Sequence, residues 1–265
     1  MQMGCEGFVI SRVGQDEPGD AILDFFQQQG LATDFIQRDP DRPTGWVTVE
    51  MPPGESHRFT IHEDVAWDRL EFTPQLAELM PTADAVCFGT LAQRSPLSRE
   101  TIQRCLYETR EDCLLVCDIN LRQQFFNAIT IERSLQAADI VKLNDDEVRV
   151  LSGLLGLPSA THQDFAAGVR KRFDVNLVCV TRGAEGCFLS SSTEMVEIPG
   201  KKVTVVDTVG AGDSFTAALI VSQLEGWPLE KSARFANEVG ALVAGRAGAM
   251  PRLRDEFQRL KESLV

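Results

Sequence analysis

Four short apolar runs, 84–88, 113–119, 139–143 and 177–181, alternate with helical patterns, and this alternation leaves the chain very few folds to adopt. The intervening segments 98–110, 129–137, 145–151 and 162–173 repeat apolar residues at helical spacing. In the first of them Ile102, Cys105 and Leu106 form one stripe. Strand, helix and strand in succession require crossover connections, which give a mainly parallel sheet covered on both faces. In such an α/β architecture ligands sit beyond the carboxyl ends of the strands. The residues placed there are Gly89, Asp118-Ile119-Asn120-Leu121-Arg122, Asn144 and Thr181-Arg182-Gly183.

Ahead of these runs, 44–51 (TGWVTVEM) and 57–62 (HRFTIH) alternate like an antiparallel pair joined by Pro52-Pro53-Gly54-Glu55, which predicts a small β insertion. Behind them, 186–190 and 195–198 read as a hairpin about Ser191-Ser192-Thr193-Glu194. The stretch 203–206 reads as a strand that runs into a glycine-rich loop. Helical patterns follow over 211–224, 229–244 and 252–264, the last of them charged and exposed. No repeat, low-complexity tract or linker divides the 265 residues, so one domain over 1–265 is expected, with the insertion at about 42–63.

A formal net charge of −13 argues against nucleic acid or an anionic membrane as partner, because both demand clustered Lys and Arg. An anionic ligand must then be held locally, by backbone amides, a metal ion or a few arginines. The chain has neither a run of about 18 apolar residues nor a basic start followed by an apolar stretch, so a cytoplasmic location is expected. Its seven cysteines include no CxxC pair and are read as buried free thiols. His57, His62 and His162 belong to no motif and are read as surface residues.

The loop Asp207-Thr208-Val209-Gly210-Ala211-Gly212-Asp213 opens the helical pattern that holds Phe215, Ala218 and Leu219. Small residues at a helix start let backbone N–H groups approach an anion, where unsatisfied donors and the helix dipole favour negative charge. A transferring phosphoryl group suits such a site, and Asp213 in the first turn could take the proton of an attacking hydroxyl. Glycine spacing alone is equally consistent with a tight strand-to-helix turn in which Asp213 only complements the dipole. No Gly-Lys-Ser/Thr follows, so the loop is not a P-loop, and Phe215 stands where a dinucleotide fingerprint needs its third glycine.

The full stretch VDTVGAGDSFTAAL resembles the carboxy-terminal signature of the ribokinase-like (PfkB) carbohydrate kinases at nearly every position. Ser11 to Asp20 resembles the "VGxDxxG" stretch of that family, and Arg42-Pro43-Thr44-Gly45 the approach to its β lid. Asp118-x-Asn120-x-Arg122 is similar to the DxNxR strand end of fructokinase-like members, and Asn144-Asp145-Asp146-Glu147 to the NxxE element. The resemblance implies a three-layer αβα fold with a mainly parallel central sheet and a small β lid. It implies Asp213 as base, with Gly210, Ala211 and Gly212 at the transferring phosphate. Asn144 and Glu147 would organise the ATP phosphates, Glu147 through a magnesium-bound water. Asn144 and Glu147 also have the spacing of a helix capping box, a reading compatible with the first.

By the same resemblance Thr181 and Gly183 line the nucleotide, Asn237 and Gly248 form the adenine-side wall, and Asp118, Asn120 and Arg122 face the sugar. For Arg122 a solvated surface arginine is the competing reading. Asp207, with carbonyls of Val209, Val243 and Gly248, resembles the monovalent-cation site of many members, which would hold K+. Arg252 stands where some relatives carry a serine ligand. Pairing of the lid with a second subunit would make a homodimer, since a two-stranded lid has exposed edges.

The family begins with a strand and a Gly-Gly-x-x-x-Asn element ahead of VGxDxxG, and about thirty to forty residues expected from the resemblance are absent. Residues 1–7 (MQMGCEG) read as the end of the missing helix, and a longer natural protein is expected. The favoured function is ATP-dependent phosphorylation of a hydroxyl on a small sugar, fructose first. A keto-deoxy sugar acid or a nucleoside is the alternative substrate, and a nucleotide-binding remnant without activity the alternative function.

Overall fold

The structure is a computed structural model that describes residues 1–50 and 58–264. A six-stranded sheet forms the centre, built from β5 (Ala85–Gly89), β6 (Leu114–Asp118), β7 (Ile140–Asn144), β8 (Leu177–Thr181), β9 (Cys187–Ser190) and β10 (Met195–Ile198), in the order β10-β9-β8-β7-β6-β5. Strands β5 to β8 are parallel, and β9 and β10 return antiparallel through the expected hairpin. The four apolar runs of the sequence are therefore the four parallel strands.

Alternation of side chains along each strand sends residues to opposite faces, and each face has its own helical layer. Helices α3 (Pro96–Tyr107), α4 (Ala128–Ala137), α5 (Asp145–Leu155) and α6 (His162–Phe173) cover one face. There Phe88, Cys117, Leu143 and Val178 meet Leu106, Leu135, Leu151 and Phe165. Helices α7 (Ala211–Leu224), α8 (Leu229–Ala244) and α9 (Arg254–Ser263) cover the other, where Val116, Ile140 and Cys179 meet Phe215, Leu219, Phe235 and Phe257. Each such side chain contributes roughly 1.5–3 kcal/mol by leaving water. The result is the three-layer αβα arrangement.

Before the sheet, β1 (Ser11–Gly14), α1 (Glu17–Gln28) and β2 (Ile36–Asp39) form a small parallel unit, followed by the lid strands β3 (Val47–Glu50) and β4 (Arg58–Ile61) and the short helix α2 (Pro74–Leu79). The lid is antiparallel as expected, while its connecting turn, Pro52 to Glu55, lies outside the described residues. Thr44 fastens the lid to β1. Its hydroxyl accepts from Gly14 N (2.9 Å) and donates to Asp16 Oδ1 (2.5 Å), and its N–H donates to Asp16 Oδ2 (2.8 Å). These bonds hold the Asp16 carboxyl below the usual carboxylate range.

Four expectations differ from the structure. Residues 203–206 form no strand, because their N–H groups find the end of α8 instead of a neighbouring strand: Val206 N and Asp207 N donate to Ala244 O (2.9 and 3.2 Å). Residues 1–7 form a turn and a bend and not a helix end; Gln2 holds the chain near α9 through Pro251 O (3.0 Å) and Leu253 N (2.7 Å). The last helix is not wholly exposed, since it buries Phe257 behind Leu253. Of the cysteines, Cys105, Cys113, Cys117, Cys179 and Cys187 are buried free thiols, Cys5 is partly covered and Cys87 is exposed. Cys87 lies on β5, whose outer edge has no ladder partner among the described residues.

Candidate active site

At the carboxyl ends of the parallel strands the ladder register sets Gly89 beside Asp118 and Asn144 beside Thr181. Four of the sequence-predicted positions are thus neighbours across two strand pairs. The glycine loop opens α7 nearby. Gly210 is its N-cap at φ +80°, and a Cβ there would lie 2.3 Å from Ala249 O, so both the backbone conformation and the turn 247–249 behind it require glycine. Ala211 N reaches Thr208 O at 3.3 Å, while the N–H groups of Gly210, Gly212 and Asp213 find no acceptor among the described residues. Those free donors, at the positive end of a 14-residue helix, form a cradle for an anion. Asp213, in the first turn, is exposed and accepts no hydrogen bond from the described residues.

A buried charge network lies under this loop. Lys142 Nζ donates to both oxygens of Asp118 (3.1 and 3.0 Å), and Thr216 Oγ1 donates to Asp118 Oδ2 (2.9 Å). A Cβ on Gly212 would meet Lys142 Nζ at 3.3 Å, so the ammonium lies against the loop itself. Sequence reading missed Lys142 and Thr216 as part of the site. Two signals were available: a lysine inside the apolar run Ile140-Val141-Lys142-Leu143 needs a buried partner, and Thr216 is one helical turn from Asp213 on the same helix.

Glu147 closes the network from α5. It is buried, with Oε2 accepting from Asn144 N and Oε1 from Leu121 N, both at 2.8 Å; Asn144 Oδ1 in turn accepts from Glu147 N at 2.9 Å. The capping box is therefore real, and it ties the NxxE element to the DxNxR loop. Burial pushes the Glu147 carboxyl up, against the lowering effect of its two N–H donors and of Lys142. Cys87 is exposed, yet protein crowds its thiol. That crowding, then the Asp118 carboxylate and more weakly Asp213, push its thiol up to about 12.

The loop after β6 is strained: Asn120 and Gln123 have φ of +45° and +48°. Such conformations concentrate where a surrounding structure over-determines them. Here Gln123 Oε1 accepts from Ile61 N (2.6 Å), which binds the loop to the lid. Arg94, which sequence reading also missed, braces the same junction. Its guanidinium holds Asp68 (2.7 and 2.9 Å) and His62 O (2.6 Å) and lies over the rings of Trp67 and Phe125. Arg122 is exposed, and among the described residues its side chain bonds only its neighbour's carbonyl, Leu121 O, at 2.9 Å.

The other predicted positions form a flank. Asp207 accepts from Val209 N (3.0 Å) and Gly248 N (3.2 Å), and Asn237 Nδ2 donates to Pro199 O (3.1 Å). Thr181 Oγ1 donates to Leu143 O (3.4 Å), and Gly183 begins a short turn at φ +54°. Of the histidines, His62 stacks on Trp46 in the lid and His162 pairs with Asp145, while His57 lies outside the described residues.

Known proteins resemble this chain in sequence and fold. A Pyrococcus horikoshii protein named only as a sugar kinase is 30% identical over 272 residues, covering 99% of this chain and 83% of its own length. A fructokinase of Vibrio alginolyticus is 26% identical over 264 residues, covering 95% of this chain and 84% of its own. Among solved structures, an uncharacterized sugar kinase from Pyrococcus horikoshii in complex with ATP superposes with a TM-score of 0.83 at 28% identity, covering 100% of this chain and 86% of that one. The pattern of the pfkB family carbohydrate kinases matches residues 1–255. A match over nearly the whole chain places it in the pfkB family of carbohydrate kinases.

Proposed function

We propose that the chain transfers the γ-phosphoryl group of ATP to a hydroxyl of fructose or a close relative of it, with Asp213 as the base. The observation that carries this reading is the exposed, unbonded Asp213 carboxylate one turn into a helix whose first N–H groups are free. In this reading the amides of Gly210 and Gly212 receive the charge of the transferring group, and Asp213 accepts the hydroxyl proton. Lys142 stands behind the loop and adds positive potential. Asp118 has both oxygens bonded inside the protein, so it acts by holding Lys142 and Thr216 in position. Asn120 and Arg122, beside the lid, face the sugar.

Magnesium fits beside Glu147. Each oxygen of that buried carboxylate takes one backbone N–H and keeps lone pairs for a metal-bound water. When bound, the metal neutralises charge on the ATP phosphates. Thr181, Gly183, Asn237 and Gly248 line the nucleotide in this reading. Asp207 is the candidate centre of a K+ site, although the two N–H donors on its carboxylate compete with a cation there. A cytoplasmic enzyme fits a chain in which no described helix is long and apolar enough to cross a membrane.

The test is ADP release by the purified protein with ATP and magnesium over a panel of fructose, ribose, a keto-deoxy sugar acid and a nucleoside. Sugar-dependent ADP, highest with fructose, is expected. ATP binding without ADP release from any member would identify a non-catalytic remnant, and highest turnover with the acid would reassign Arg122 to a carboxylate.

The lid also supports a homodimer. Val47 and Val49 stand opposite Ile61 and Phe59, and Val47, Val49, Phe59 and Trp46 are all about half exposed. An apolar strip of that kind on an edge-exposed ribbon calls for cover. Light scattering after size exclusion should give twice the 29.3 kDa chain mass; a mass of one chain at all concentrations would refute the dimer.

A further inference from the structure

A second recess lies away from the glycine loop, between α3 and α4 on the opposite face of the sheet, with a volume of about 410 Å3. Pockets for small molecules run from roughly 300 to 1,000 Å3 and combine an apolar lining with a few placed polar groups. Here Phe88, Leu106, Leu115 and Ala137 supply the apolar lining. Gln93 and Ser134, both buried, supply a polar one, joined by a 2.9 Å bond from Gln93 Nε2 to Ser134 Oγ.

The hydrogen-bonding capacity of that lining is incompletely used. Gln93 Nε2 also donates to Gly89 O (2.9 Å), and its Oε1, which water can still reach, accepts no hydrogen bond from the described residues. Gln103 Nε2 is buried with no partner among the described residues. Buried polar groups are nearly always paired, so the orphaned Gln103 donor, with the open Gln93 acceptor in the same recess, points to a ligand. At the rim, Arg133 makes no ion pair among the described residues, and the Tyr107 ring is 86% exposed. An unpaired arginine beside an apolar lining selects for an anion with a hydrophobic body.

We propose that this recess binds a small carboxylic acid with an apolar body, its carboxylate on Arg133 and its body against Phe88, Leu106 and Leu115. Open hydrogen-bonding groups on Gln93 and Gln103 would meet polar atoms of the ligand. The site does not share residues with the phosphoryl-transfer site, so its test is independent of that reading.

Isothermal titration of the full chain with phenylacetate, in saturating ADP to occupy the nucleotide cleft, provides the test. One saturable site is expected, about fivefold tighter for phenylacetate than for its neutral counterpart phenylacetamide. Arg133→Ala, at an exposed helix position, should erase that preference, and Ala137→Phe should fill the recess and abolish binding of both compounds. The proposal is overturned if phenylacetate gives no saturable heat, if acid and amide bind alike, or if Arg133→Ala binds as the wild type does. Should Ala137→Phe fail to fold, the Arg133 variant still decides.

Discussion

Replacing Asp213 by alanine should lower kcat by about 10²–10⁴-fold, the usual contribution of a positioned general base. Sugar and ATP affinities should change little, because the anion cradle is made of backbone groups. Stability should also hold: the carboxylate is exposed and accepts no hydrogen bond from the described residues, so truncation strands nothing. This separates the catalytic reading from the structural one, in which Asp213 only complements the helix dipole. A dipole partner would cost about 0.3–1 kcal/mol of stability and leave turnover near normal. Steady-state kinetics and a thermal melt on the same preparation distinguish the two.

Lys142→Met should be the most destabilising single change at the site. It leaves the Asp118 carboxylate buried with Thr216 as its remaining donor, and removal of one member of a buried ion pair costs about 3–5 kcal/mol. Urea denaturation would show this as a lower midpoint. The double variant Lys142→Met, Asp118→Leu should recover much of the loss, because no charge is then stranded. Recovery of stability without recovery of activity would mark the network as the support of the glycine loop. A cost under about 1 kcal/mol for Lys142→Met would show that water reaches the pair and that it behaves as a surface ion pair.

The parallel core was legible because its strands are buried on both faces and read as unbroken apolar runs between periodic helices. Residues 162–173 and 177–181 have the expected limits in the structure. Strands β1 and β2 escaped because each has only four residues and polar ones among them. Arg12 is buried in β1 through an ion pair to Asp39 at 2.8 Å, a partner 27 positions away that local pattern cannot reveal. The stretch 203–206 failed in the opposite way: β-branched residues favour extended backbone, but a strand also needs a neighbour, and Val206 found a helix end.

The site shows the same division. Residues fixed by local chemistry, such as Gly210 at positive φ and Asn144 with Glu147 in a capping box, could be read from spacing. Residues whose meaning depends on a distant partner could not. Asp118, Lys142 and Thr216 meet from β6, β7 and α7, and Gln123 and Arg94 meet the lid from two separate loops.

The most direct test of the central claim is to follow a radiolabelled γ-phosphate from ATP in the presence of magnesium and fructose. Labelled sugar phosphate is expected from the wild-type protein and almost none from Asp213→Ala. Label that stays on ATP, passes only to inorganic phosphate, or reaches the sugar equally with both proteins would contradict it.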